Sequence, residues 1–172
     1  MNNQSEEKMV EFYSNQLDKY NISKEALSYS SEEQMSTRYA ILSEIDGLSP
    51  NSSVLDLGCG LGYYIEYLRQ NGYKGKYTGI DINPQMIDAC KKRLPKEEFL
   101  CTNILSTKLN RKFDYIICGA TIQHKPKFED SKKYFSNMVK AMFEMSNKGI
   151  AFDIFSANVD FKNDENLYIE PG

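Results

Sequence analysis

Apolar residues recur every three or four positions through the first fifty residues, then fall into short uninterrupted runs, and that change of period divides the chain. Met9, Val10, Tyr13, Leu17 and Tyr20 fall on one face of a helix. A polar break follows. Ser30 and Ser31 stand three residues ahead of Glu33 and Gln34, giving two overlapping capping boxes. The helix they predict buries Met35, Tyr39, Leu42 and Ile45 and stops at Gly47 and Pro50.

From residue 52 onward the spacing predicts strands at 53–57, 76–81, 98–101, 113–118 and 149–155. Between them lie helices at 61–71, with Ile65 and Leu68 inward, and from Pro84, with Met86, Ile87, Cys90 and Leu94 at helical spacing. A long helix carries Tyr134, Met138, Ala141, Met142 and Met145. Strand and helix alternate, so the expected fold is α/β, a mostly parallel sheet with helices on both faces. The expected organisation is one domain: a helical cap at 1–50, a core at 51–157, and a polar tail at 158–172 with no further element.

The first predicted strand runs into Asp56-Leu57-Gly58-Cys59-Gly60-Leu61-Gly62 and then a helix. Glycines let the backbone turn sharply and let a ligand lie against main chain. The following helix turns free N–H groups toward it. A bare strand-to-helix turn would look similar, but Asp81 closes the next strand, where an acid can accept both hydroxyls of a ribose. Together these features predict a nucleoside ligand. A dinucleotide loop needs a glycine where this chain has Tyr63; the glycine comes one residue early, at Gly62. Asp56 would repel a pyrophosphate and tolerate an ammonium and a sulfonium, so the loop favours a cationic, phosphate-free cofactor over NAD.

Composition narrows the classes. The chain has 172 residues, 41% hydrophobic and 26% charged, enough for one domain with a sizeable core. A net charge of -3, with no basic run, argues against nucleic acid as partner. The first seven residues are polar and acidic, unlike a secretory leader, and no apolar run approaches the roughly 18 residues of a membrane helix, so the expected location is cytoplasmic. Cys59, Cys90, Cys101 and Cys118 form no CxxC pair and there is one histidine, which predicts reduced, mostly buried thiols and no metal site.

The run from Val54 to Gly62 resembles the first motif of class I S-adenosylmethionine-dependent methyltransferases, a Rossmann-like family. Tyr77-Thr78-Gly79-Ile80-Asp81-Ile82-Asn83, followed by Met86, resembles the second, and residues 113–118 resemble the fourth-strand motif. Thr121-Ile122-Gln123-His124 matches the loop that such enzymes place beside the methyl group. The resemblance implies S-adenosylmethionine as cofactor, S-adenosylhomocysteine as product, and a small-molecule acceptor methylated on oxygen or nitrogen. It implies that Gly58 and Gly60, with Cys59 between them, contact the methionine part and ribose while Asp56 supports the amino group. Asp81 would hold the ribose hydroxyls; Ile82 and Met86 would pack on adenine. Asn103, beside Ile104, stands where the family has an aspartate facing the adenine amine, and Gly119 would offer its carbonyl to the methionine ammonium. Upstream, Gln34 and Arg38 lie on a helix similar to those that cap the cofactor, with Arg38 suited to the methionine carboxylate. His124 is the candidate general base.

Family members continue beyond the fifth strand with a helix and two more strands, and no such pair is predicted here after Phe155. The expectation is that these strands are missing or come from a partner, leaving residues 149–155 as an apolar edge able to pair with a second copy or a partner chain. Two rival functions remain at this point: a cofactor-binding, non-catalytic partner subunit, and an NAD-dependent oxidoreductase.

Overall fold

The computed structural model describes residues 3–107, 109–123, 131–164 and 166–170. The N-terminal apolar stripe forms α1 (Asn3–Tyr20). The polar break after it holds a short 3-10 turn, Glu25–Leu27, around the fully buried Ala26. Next comes α2 (Glu32–Ser43), which starts at the second of the two capping boxes. Ser31 Oγ accepts the Gln34 N–H at 3.0 Å, and Gln34 Oε1 accepts the Ser30 N–H at 3.0 Å. Such a cap is worth about 1 kcal/mol.

The core follows as β1 (Val54–Leu57), α3 (Tyr63–Gln70), β2 (Tyr77–Asp81), α4 (Pro84–Arg93), β3 (Glu98–Cys101), β4 (Phe113–Cys118), α5 (Ser131–Met145) and β5 (Ser146–Phe152). The five strands are all parallel, in the order β3-β2-β1-β4-β5. Successive side chains of a strand face opposite ways, so β1 and β4 feed two cores. Val54, Tyr115 and Ile117 pack with Tyr39, Leu42, Ile65 and Ile87 from α2, α3 and α4. Leu55, Leu57, Ile116 and Cys118 pack with Tyr134, Met138 and Met142 of α5. The expected doubly covered parallel sheet is the one observed.

Two expectations about the C-terminal part are corrected. The fifth strand occupies Ser146–Phe152 rather than 149–155. It stops where its partner β4 ends at Cys118, and just beyond it the Asp153 side chain accepts the Ala120 N–H and pairs with Arg38. The tail is also not featureless. Phe155–Ser156 (β6) pairs in parallel with Tyr168–Ile169 (β7), their aromatic rings 5.6 Å apart. Leu167 is buried, and its N–H donates to the Gln123 carbonyl at 2.7 Å, bringing the tail back to the loop after β4.

Candidate functional site

The strand order reverses between β1 and β4, since β2 and β3 extend one way and β5 the other. Chains leaving the C-terminal ends of β1 and β4 therefore diverge and leave a crevice, the usual ligand position in such sheets. A cleft of about 1130 Å³, its open mouth included, lies there. Asp56, Gly58, Cys59, Gly60, Asp81, Ile82, Met86, Asn103, Ile104 and Gly119 all line it, ten of the eleven residues singled out as cofactor contacts.

The loop between β1 and α3 is built on left-handed glycines. Gly58 has φ +76° and Gly60 φ +51°. A Cβ on Gly58 would lie 2.0 Å from Thr121 Oγ1, and one on Gly60 2.8 Å from Leu27 Cδ2. Bare backbone is thus what the cleft needs on this side. Gly62, φ +76°, precedes α3 and lies against Leu94, Cys90 and Phe99, so it provides the close helix-to-sheet approach that the dinucleotide motif assigns to a later glycine.

Two carboxylates sit at the strand ends. Asp81 is bound by its own surroundings: Oδ2 accepts the Gly60 N–H and Oδ1 the Asn83 N–H, each at 2.9 Å. These bonds fix the plane of the carboxylate and leave lone pairs toward the cleft. Burial nonetheless raises its pKa, against the lowering effect of those N–H donors. Asp56 is more secluded. It is 4% exposed and accepts one hydrogen bond, from Tyr77 Oη at 2.7 Å. Burial, only partly offset by the Tyr77 hydroxyl and reinforced by Asp81, pushes its pKa up to about 7. Asp56 and Asp81 are the only charged side chains among the described residues lining the cleft.

Asn103, Arg38 and Gln34 make further contacts within the chain. Asn103 lines the cleft, but its Oδ1 accepts the Leu105 N–H at 2.8 Å and its Nδ2 donates to Glu6 of α1 at 2.8 Å. Asn103 thus ties the cap to the core as well as facing the cavity. Arg38 does not line the cleft: its Nε pairs with Asp153 Oδ2 at 2.5 Å and its guanidinium lies over Tyr29, 5.2 Å from the ring centre. The physical reason is Asp153, a carboxylate that α2 faces across the end of β5. Gln34 is used in the α2 cap. His124 falls in 124–130, outside the described residues.

Several cleft residues were read from the sequence only as core. Tyr13 of α1, Tyr39 and Leu42 of α2, and Tyr134 and Met138 of α5 complete the walls. Their helical spacing says that they are buried, not against what. Asn83 caps α4 through Oδ1, which accepts the Gln85 N–H at 2.9 Å, while its Nδ2 donates to the Val10 carbonyl and Ser14 Oγ of α1, each at 3.1 Å. The α1 helix is thereby held over the β2 end of the cleft. Three cysteines are buried and Cys101 is exposed, all four as free thiols.

With the cleft so defined, the family model for a methyltransferase domain matches residues 54–144, more than half of the chain. The chain belongs to that family, the class I S-adenosylmethionine-dependent methyltransferases of Rossmann-like fold. A Mycobacterium tuberculosis protein named as a methyltransferase is 28% identical over 128 residues, covering 69% of this chain and 74% of that one. The malonyl-(acyl-carrier protein) O-methyltransferase 1 of Ilyobacter polytropus is 26% identical over 152 residues, 86% of this chain and 55% of the relative. The chain thus spans about half the length of that enzyme. Among solved structures, the complex titled DhpI-SAM-HEP superposes with a TM-score of 0.67 at 17% identity, over 92% of this chain and 69% of that one. That last likeness concerns the fold.

Proposed function

We infer that this methyltransferase moves the methyl group of S-adenosylmethionine to an oxygen or nitrogen of a small-molecule acceptor. The observation that carries this reading is the pair Asp56 and Asp81 flanking a glycine cradle in a cleft with no cationic side chain among its described walls. Such a site suits a cofactor with a diol and an ammonium and no phosphate; NAD would bring two phosphates up to the Asp56 carboxyl with no cationic side chain among the described walls to offset the repulsion.

In this reading Asp81 accepts the ribose hydroxyls, and Ile82 and Met86 give adenine an apolar bed. The Gly119 carbonyl and an ionised Asp56 face the methionine ammonium. When bound, S-adenosylmethionine supplies a methyl group already activated by a sulfonium. The chain then has mainly to exclude water and hold the acceptor's lone pair in line at about 3–3.5 Å. Thr121, Tyr134 and Met138, on the β4 side of the cleft, shape that approach. His124 is the proposed proton acceptor where the nucleophile needs one. The malonyl carboxyl named for the Ilyobacter relative is one acceptor to try. Radiolabelled methyl transfer to a panel of carboxylic acids, phenols and amines checks the reading. Incorporation into any of them supports an enzyme. Cofactor binding with no incorporation across the panel would favour the non-catalytic partner subunit.

The same proposal includes a cytoplasmic location and self-association. No helix among the described residues is long and apolar enough to cross a membrane. β5 is an edge of the five-stranded sheet, with the half-buried Ile150 and Phe152 packed toward one core and Ala151 toward the other. Two copies pairing there would satisfy its unpaired backbone groups. Light scattering at micromolar concentration should give twice the chain mass; a thermally robust monomer would contradict the pairing.

A further inference from the structure

Three residues from distant parts of the sequence meet at the wall of the cleft. Ala120, directly after Gly119 at the end of β4, has φ +55°, a left-handed conformation that is strained for a residue with a Cβ. Its N–H donates to Asp153 Oδ1 at 2.7 Å, and Asp153 Oδ2 holds Arg38 Nε at 2.5 Å. Arg38 in turn lies against Tyr29, a wall of the cleft on its cap side. Ala120 itself lines the cleft between β1 and β4, with Gly119 and Thr121 on either side of it. Thr121 Oγ1 would lie 2.0 Å from a Cβ on Gly58, so the turn at Ala120 sets how closely this loop meets the glycine cradle.

A strained turn persists only where its surroundings over-determine it. Here the determinant is one carboxylate, bonded to the strained N–H by one oxygen and to the cap helix by the other. We propose that Asp153 is a positioning residue that locks the loop after β4 in its left-handed turn and so presents Gly119 and Thr121 to the cofactor. It touches no ligand itself. The proposal rests on the cofactor reading above and adds to it a residue that the shared motifs do not contain. It also gives Arg38 a task, fixing Asp153, different from the carboxylate contact expected from its position.

Amide hydrogen exchange at Ala120 and calorimetric titration with S-adenosylhomocysteine, both on the full chain, test it. Asp153→Ala should speed exchange at Ala120 and weaken binding, each roughly tenfold, while β1 amides stay protected. Asp153→Asn keeps an acceptor for the N–H but loses the ion pair with Arg38, so it should recover part of both. Ala120→Gly placed on Asp153→Ala should also recover binding, because glycine takes the turn without strain. Unchanged exchange at Ala120, unchanged affinity, or an Asp153→Asn protein as impaired as Asp153→Ala would overturn the role. Wild-type protein that protects Ala120 yet binds no S-adenosylhomocysteine would overturn the cofactor reading itself, and with it the purpose given to Asp153.

Discussion

Replacing Asp56 by asparagine should stabilise the cofactor-free protein at pH 8 and, in the same tube, weaken S-adenosylmethionine binding by about 10–100-fold. The two effects have one cause. In the folded chain burial raises Asp56 from an ordinary carboxylate value of 3.8 to about 7, so folding takes up a proton between those values. By linkage, the contribution of Asp56 to stability falls as pH rises from about 4 to about 7, and the full penalty applies above that. Asparagine has no charge to bury, and its Oδ1 can still accept the Tyr77 hydroxyl. The gain at pH 8 is on the order of 2–4 kcal/mol, a rise in Tm of several degrees for a chain of this size. Below pH 4 the two proteins should melt together. Binding moves the other way, because the ammonium draws Asp56 into its ionised form. Wild-type affinity should therefore strengthen from pH 6 to pH 8, with a proton released at the lower pH, and the variant should show neither. Melting curves and titrations at pH 4, 6 and 8 check both signs.

Gly58→Ala is expected to abolish cofactor binding and to destabilise the fold by about 2–5 kcal/mol, combining a left-handed backbone with overpacking. Its added methyl would lie 2.0 Å from Thr121 Oγ1, 2.7 Å from Cγ2 and 2.8 Å from Cβ, so no rotation of Thr121 clears all three. Gly72→Ala is the matched comparison. Gly72 also has positive φ, +85°, but nothing lies within 4 Å of its added methyl. It should lose only about 1 kcal/mol and bind cofactor normally. Equal loss from both substitutions would mean that backbone conformation, not contact between the two loops, is what Gly58 provides.

Much of this site is written locally. Asp56, Gly58, Gly60 and Asp81 each sit at the end of a strand that its apolar run announces, so their convergence follows once the strands are known to be parallel. The strands at 98–101 and 113–118 have the predicted limits for the same reason. What could not be read depends on partners distant in sequence. Asp153 is tied to Ala120 and Arg38, and neither contact is visible from the run of apolar residues around it. Leu167 is buried because the tail returns to Gln123, although its neighbours are polar. Tyr13 and Tyr39 show the same limit from the other side. Periodicity marks a buried face but not whether it meets protein or a cavity. The loop after β4 shows both cases, since Gly119 lies where its motif implies while the turn at Ala120 depends on β5.

The comparison that bears most directly on the phosphate-free cofactor site is a calorimetric titration of the wild-type chain with S-adenosylmethionine, S-adenosylhomocysteine and NAD at pH 8. The expected result is one-to-one binding of the first two and none of NAD. Saturable binding of NAD, with no heat from either sulfur nucleoside, would contradict the roles given to Asp56 and Asp81.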